Sequence, residues 1–267
     1  MARGWRGGLG PVCSRTRGII LAALAVLVAT PLAARSPGDP VRLIWMEGDI
    51  AGMSTIYDAT GDTPIGFIEY HQTRRGDVLS SVRIARFRDG SSDEDQAEAR
   101  VAGALEAIHG RSFIRDARGQ ATVELAIDVG GGHLTGSYDR DGKRQGIDER
   151  VALPLGTYWG PLIFLVLKNF DANAEHDRVV FRTVTPTPRP LVLDMELRRV
   201  KKAAVDRVGT RVDTVQFELR PTIHWAIDPL VHLVAPKAHF WVEEGEPPAL
   251  ARFSGPRNYA RQPILIQ

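Results

Sequence analysis

Oxygen- and nitrogen-bearing side chains recur in this sequence at spacings that invite a chemical reading. Asp89, Ser91, Asp93 and Asp95 place an oxygen at every second position, as a calcium loop does. Gly90 is displaced from the sharp-turn position of such a loop, and Arg100 stands where its bidentate glutamate belongs, so the run reads as a solvated turn or a cap. Seven histidines, His71, His109, His133, His176, His224, His232 and His239, include no H-x-x-x-H pair and no H-E-x-x-H. His224, His232 and His239 share one C-terminal region, but without a second ligand at fixed spacing they read as scattered surface or core residues. A nucleophile is equally hard to place. There is no G-x-S-x-G, and Gly90-Ser91-Ser92 does not supply the strand–turn–helix elbow that exposes a catalytic serine.

The remaining candidates carry plainer readings. Gly130-Gly131-Gly132 lacks a following Lys-Ser/Thr and is a turn, not a phosphate cradle. Asp148 and Glu149 are neighbours, which on a strand point to opposite faces and do not form a catalytic pair. Arg198, Arg199, Lys201 and Lys202 form a basic run at a strand end, a solvated turn first and a contact for anionic headgroups second. Trp45, Trp159, Trp225 and Trp241 suit a core, with one or two at a pocket rim. No catalytic residue, metal ligand or cofactor is assigned.

What must position any site is the densest apolar run of the chain, Leu153 to Asn173. Trp159, Leu162, Ile163, Val166 and Phe170 follow the spacing of one helical stripe, with Leu165 and Leu167 beside it. Pro161 suits a first turn, Lys168 a last turn, and Asn169, Asp171 and Asn173 break the pattern. This predicts a helix of roughly three turns over Tyr158–Phe170. Apolar on more than one face, it is either a core helix or the cover of a cavity, and the sequence leaves both open.

Around it lie short alternating runs. Val123, Leu125 and Ile127 face one way against Thr122, Glu124 and Asp128; Leu191, Leu193, Met195 and Leu197 alternate with Val192, Asp194, Glu196 and Arg198; Val215, Phe217 and Leu219 do the same. Gly- and Asp-rich turns recur between them, and Pro186, Pro188 and Pro190 mark a kinked entry or an edge. The fold class is therefore mainly β: an antiparallel curved sheet or half-open barrel wrapping one apolar α-helix. Residues 93–108 are ambiguous. Ser92 to Asp95 resemble a helix start, and Ala97, Val101, Ala104, Leu105 and Ile108 form a stripe that Gly110 would end.

The chain has 267 residues, 43% hydrophobic and 25% charged, enough for one large all-β domain. Arg3, Arg6, Arg15 and Arg17 precede the apolar run Ile19–Val28, followed by the small pair Ala33-Ala34. This is the pattern of a secretory signal peptide over 1–34, with an uncleaved anchor as the alternative because Leu32 fits poorly before the cleavage site. The run is shorter than a comfortable span of about 20 residues, so no transmembrane segment is expected after processing. Residues 35–40 read as a linker and 41–267 as a single β-rich domain. Processing takes four arginines from the 34 basic residues and no acid from the 32, so the net charge moves from +2 to about −2. The basic balance thus belongs to the leader and does not argue for nucleic acid. Cys13 is the only cysteine and leaves with that leader, so stability rests on the core and not on disulfides.

Several strings carry a resemblance. Arg86 to Glu94 (RFRDGSSDE), Leu153-Pro154 leading to Leu165–Phe170 (LVLKNF), Asp228-Pro229-Leu230, and Pro247-Pro248-Ala249 through Gly255-Pro256 are similar to parts of an uncharacterised family of exported bacterial proteins with no assigned activity. The pattern also resembles lipoprotein-carrier and lipocalin-like half barrels, in which curved strands wrap a helix. The family resemblance implies strand over 93–108, which is narrowly preferred over the local helix reading. Together these features suggest an exported periplasmic or envelope-associated protein that holds a lipid or acyl chain between helix and sheet. Trp159, Ile163, Phe164, Val166 and Leu167 would form the lining. The alternatives are an envelope assembly factor with a filled core and a protein partner, and third a hydrolase with an unrecognised site.

Overall fold

Alternation of inward and outward side chains builds this protein nearly throughout. In the computed structural model, which describes residues 36–186, 189–207, 209–222, 237–257 and 263–267, the chain is mainly β with one short helix. The described residues belong to one compact unit, Ala34–Gln267. After a two-residue strand β1 (Val41–Arg42), eight strands follow as a meander: β2 (Ile50–Tyr57), β3 (Pro64–Arg75), β4 (Val78–Phe87), β5 (Ser92–Arg100), β6 (Ala104–Arg115), β7 (Ala121–Asp128), β8 (His133–Arg140) and β9 (Lys143–Arg150). The helix α1 (Leu162–Lys168) comes next. A second meander then runs through β10 (Arg178–Thr185), β11 (Leu191–Arg207), β12 (Thr210–Pro221), β13 (Ala238–Glu243), β14 (Ala249–Pro256) and β15 (Pro263–Ile266).

The two meanders merge because β15 lies antiparallel to β2, pairing Leu265 with Tyr57 and Ile266 with Ile56. The result is one large antiparallel sheet, ordered β10 to β15 and then β2 to β9, that is not closed into a barrel. Its outer strands, β9 and β10, are consecutive in sequence, and the crossover between them, residues 151–177, carries α1. The main core joins Tyr158, Trp159, Leu162, Leu165 and Val166 to inward residues of both meanders, including Leu79, Ala99, Leu125, Phe181, Leu197 and Phe217, and a second, smaller cluster gathers Ile56, Ile68, Phe87, Ile264 and Ile266. This is the curved sheet around an apolar helix that the alternating runs predict.

One local expectation changes, and one ambiguous segment takes the strand preferred for it. The helix spans seven residues instead of three turns, because Gly160 adopts a positive φ of 47° just ahead of it and Asn169 ends it. Residues 93–108 are strand, not helix. Asp93, Asp95, Ala97 and Ala99 are all buried while Glu94, Gln96 and Glu98 between them are partly exposed, a period of two. The apparent helical stripe crosses a turn at 101–103, where Gly103 has φ 84°, and Leu105 and Ala107 resume the alternation. No helix among the described residues is long and apolar enough to cross a membrane.

The C-terminal end of α1 is tied by amides to β1 and the segment that follows it. Asn169 is fully buried; its Oδ1 accepts from the backbone N–H of Ile44 (2.7 Å) and Trp45 (2.8 Å), and its Nδ2 donates to Trp45 O (3.0 Å) and Leu165 O (2.9 Å). Asn173 repeats the device one turn on, accepting from Arg42 N–H (2.7 Å) and donating to Arg42 O (2.9 Å). Removing a partner of buried backbone groups costs roughly 1–3 kcal/mol per orphaned group. Asn169→Ala should therefore lower stability by about 2–4 kcal/mol, read as a lower urea midpoint with an unchanged slope.

Candidate functional site

The segment that enters the sheet's interior is pinned before the helix begins. Tyr158 N–H donates to Arg182 O (2.8 Å), and Arg182 N–H donates to Gly156 O (3.3 Å), a short parallel pairing on the otherwise open edge of β10. The Tyr158 hydroxyl accepts from Val41 N–H (2.8 Å) and donates to Leu105 O (2.6 Å). Trp159 Nε1 donates to Gln96 O at 3.1 Å. Its ring lies over Gly110, where an added Cβ would come within 2.3 Å of Trp159 Cζ2 and 2.2 Å of Gln96 O. Gly160 approaches Asp95 in the same way, an added Cβ falling 2.6 Å from Asp95 Cβ. Small residues on the inner faces of β5 and β6, Ala97, Ala99 and Gly110, make room for this aromatic pair.

Between α1 and the sheet lies a partly open cavity of about 150 Å³. Trp159, Gly160, Ile163 and Phe164 form its helix side. Ile56, Ile68 and Phe87 face them from β2 to β4, and Phe240, Phe253, Ile264 and Ile266 from β13 to β15. Three of the five residues singled out in the sequence therefore line it. Val166 and Leu167 do not; at 0% and 3% exposure they are packed into the main core on the other side of the helix. The cavity sits at the N-terminal part of α1, where Phe164 meets Tyr70 and Phe240 edge-on with ring centroids 6.1 and 6.5 Å apart.

One wall of the cavity is charged. Arg83, Asp95 and Ser112 form a row across β4, β5 and β6, with Arg83 ion-paired to Asp95 and Ser112 Oγ donating to Asp95 Oδ1 at 2.6 Å. Arg257, just beyond β14, lies 3.3 Å from Asp93 Oδ2, donates to Ser91 Oγ (2.8 Å) and stacks over Phe87 at 3.4 Å from the ring centroid. Arg83 and Arg257 are not singled out by the sequence, and Asp93 and Asp95, which it offers only within a calcium-like run read as a solvated turn, are buried in β5. The run Asp89 to Asp95 offered the signal only when read with a period of two, which places Asp93 and Asp95 on the same face as Ala97 and Ala99. Asp89 itself stays in the turn, where hydrogen bonds from the Ser91 hydroxyl and N–H hold its carboxyl below the usual range.

The other candidates are dispersed. His133 pairs with exposed Asp148 at 2.6 Å, and His109 with Glu98 at 3.3 Å. His239 sits beside Gln216 (3.3 Å) and Trp241, its pKa pushed down mainly by burial. His224, His232, Trp225 and the string Asp228–Leu230 lie outside the described residues. Among the described residues no three metal-ligating side chains converge. The basic run lies within β11 and not at its end; a bulge between Arg199 and Lys201 turns Val200 outward, and Arg199 packs over Phe170 with an ion pair to Asp171.

No protein-family model matches the chain, and no curated protein is significantly similar to it. Among solved structures it is similar to the crystal structure of a beta-barrel-like protein of Domain of Unknown Function DUF1849 from Brucella abortus. The likeness has a TM-score of 0.42 and 11% identity over 85% of this chain and 96% of that one. At that distance it assigns no activity.

Tyr70 reports on the cavity's surroundings. Burial, helped by the nearby Glu47 charge and opposed by a hydrogen bond with Ser81, pushes its phenol from 10.0 up to about 12. Below pH 10 the phenol is protonated in both folded and unfolded chains and contributes no slope. Above it the unfolded chain releases the proton first, so stability falls as pH rises toward 12. Tyr70→Phe should remove about 2 kcal/mol of this loss, seen by comparing urea midpoints of the two proteins across that window.

Proposed function

We propose that this protein is a non-catalytic binding module that holds the end of a single-chain amphiphile in the cavity between α1 and the sheet. The observation that carries the reading is the cavity itself: apolar side chains from α1 and from both meanders converge on a space with one polar wall. A volume of that order holds about six carbons, as a benzene-sized apolar group does. The bound part is therefore a short chain or the end of a longer one, and a two-tailed lipid does not fit within it. Each buried methylene contributes roughly 0.8 kcal/mol, so a six-carbon insertion corresponds to about 5 kcal/mol before the cost of association. The leader pattern over 1–34 supports export to the periplasm or envelope, where such amphiphiles are available to a carrier.

Native mass spectrometry of protein recovered without detergent, followed by solvent extraction, tests this first. The expected result is the mass of residues 35–267 plus an adduct that extraction removes. Purified protein should also bind 1-monooctanoylglycerol or octanoate saturably below their micellar concentrations. Ala238→Phe, which fills the cavity from β13 without burying a polar group, should weaken that binding at least tenfold while leaving the melting temperature within a few degrees; Ile163→Ser is the second, polar variant. A bare mass together with no saturable binding of either probe would instead favour a filled-core assembly factor.

A further inference from the structure

The charged wall carries information about the ligand's head, an inference that rests on the binding reading above. Of the described residues lining the cavity, Arg83, Asp93, Asp95 and Arg257 are the ionisable ones, two of each sign. Asp93 and Asp95 are 4% and 6% exposed, and Arg257 is mostly covered. Charges in so apolar a space are held by pairing, and both pairings are made: Arg257 with Asp93, Arg83 with Asp95. A ligand carboxylate placed against this wall would be a third negative charge beside two buried carboxylates. A ligand ammonium would be a third positive charge beside two guanidiniums. A neutral head bearing hydroxyls avoids both. It donates to carboxylate oxygens and accepts from guanidinium N–H groups without altering the balance.

We propose that the cavity selects single-chain amphiphiles with a neutral, hydroxyl-bearing head over carboxylate or ammonium counterparts of the same chain. Asp93 and Arg257 stand at the start of β5 and just past the end of β14, so the head lies against these strand ends. The chain points toward Ile163 and Phe164. Balance, not the presence of arginine, sets the preference: the two guanidiniums that would attract an anion are each matched by a carboxylate at the same wall.

The test is a calorimetric titration of residues 35–267 with 1-monooctanoylglycerol, octanoate and octylammonium, each below its micellar concentration. The glycerol ester is expected to bind at least tenfold more tightly than either ion. Asp93→Asn removes one negative charge and keeps the side chain's shape. It should improve octanoate at least tenfold and weaken octylammonium, with Asp148→Asn on the exposed face of β9 as the control that changes neither. Octanoate or octylammonium binding as tightly as the ester to the unaltered protein overturns the charge argument while the binding reading stands. Octanoate affinity unmoved by Asp93→Asn overturns it too. If none of the three binds, the binding reading falls and this inference with it. Should Asp93→Asn fail to fold, the ranking of the three probes on the unaltered protein decides the matter alone.

Discussion

The structure depends on how Gly156 to Gly160 is held inside the sheet. This short segment pairs with the edge of β10, while the Tyr158 hydroxyl bridges β1 and β6 and the Trp159 indole reaches β5. The two aromatic side chains are 0% and 1% exposed. Burying rings of this size removes roughly 150–250 Å² each from water, worth about 4–6 kcal/mol apiece as an upper estimate. Because the segment touches strands from both meanders, it also fixes where α1 lies and hence where space is left beside it.

An open sheet faces a physical difficulty: its first and last strands present unpaired backbone groups. Here both outer strands adjoin one crossover. The backbone of that crossover covers part of the β10 edge, and β9 carries Lys143, Arg144, Asp148, Glu149 and Arg150, charges that discourage pairing with another chain. The opposite end of α1 is tied to β1 by Asn173 and to the segment after it by Asn169, two side chains whose amides imitate backbone hydrogen bonding. A helix of only two turns is marginal by itself. Its position is set by what it is bonded to at each end.

The cavity follows from these ties. Trp159 and Gly160 are fixed by β5 and β6, and Ile163 and Phe164 just beyond them face the space, with Phe164 reaching Phe240 of β13 edge-on. Val166 and Leu167, one turn further, are pressed into the opposite side. Charged residues on its wall are tolerated because each guanidinium meets a carboxylate; a lone charge among Ile56, Phe87 and Phe253 would be strongly destabilising.

Local periodicity determined much of this protein. The alternation at 123–127 and 215–219, the recurring Gly turns and the apolar run at 158–170 dictate a mainly β chain around one helix, because side-chain direction repeats every two residues in a strand and clusters on a stripe in a helix. Periodicity failed where two periods fit the same letters. Ala97, Val101, Ala104, Leu105 and Ile108 satisfy a helical stripe, and only pairing with β4 and β6 selects the strand, which turns Asp93 and Asp95 inward. It also could not apportion the faces of α1: a residue apolar enough for a core and one apolar enough for a cavity are chemically the same, so Ile163 and Val166 look alike until the sheet is in place. Arg257 lies 164 residues from Asp93, and no local rule brings them to 3.3 Å. That contact exists because β15 pairs with β2, a decision made by packing over the whole chain.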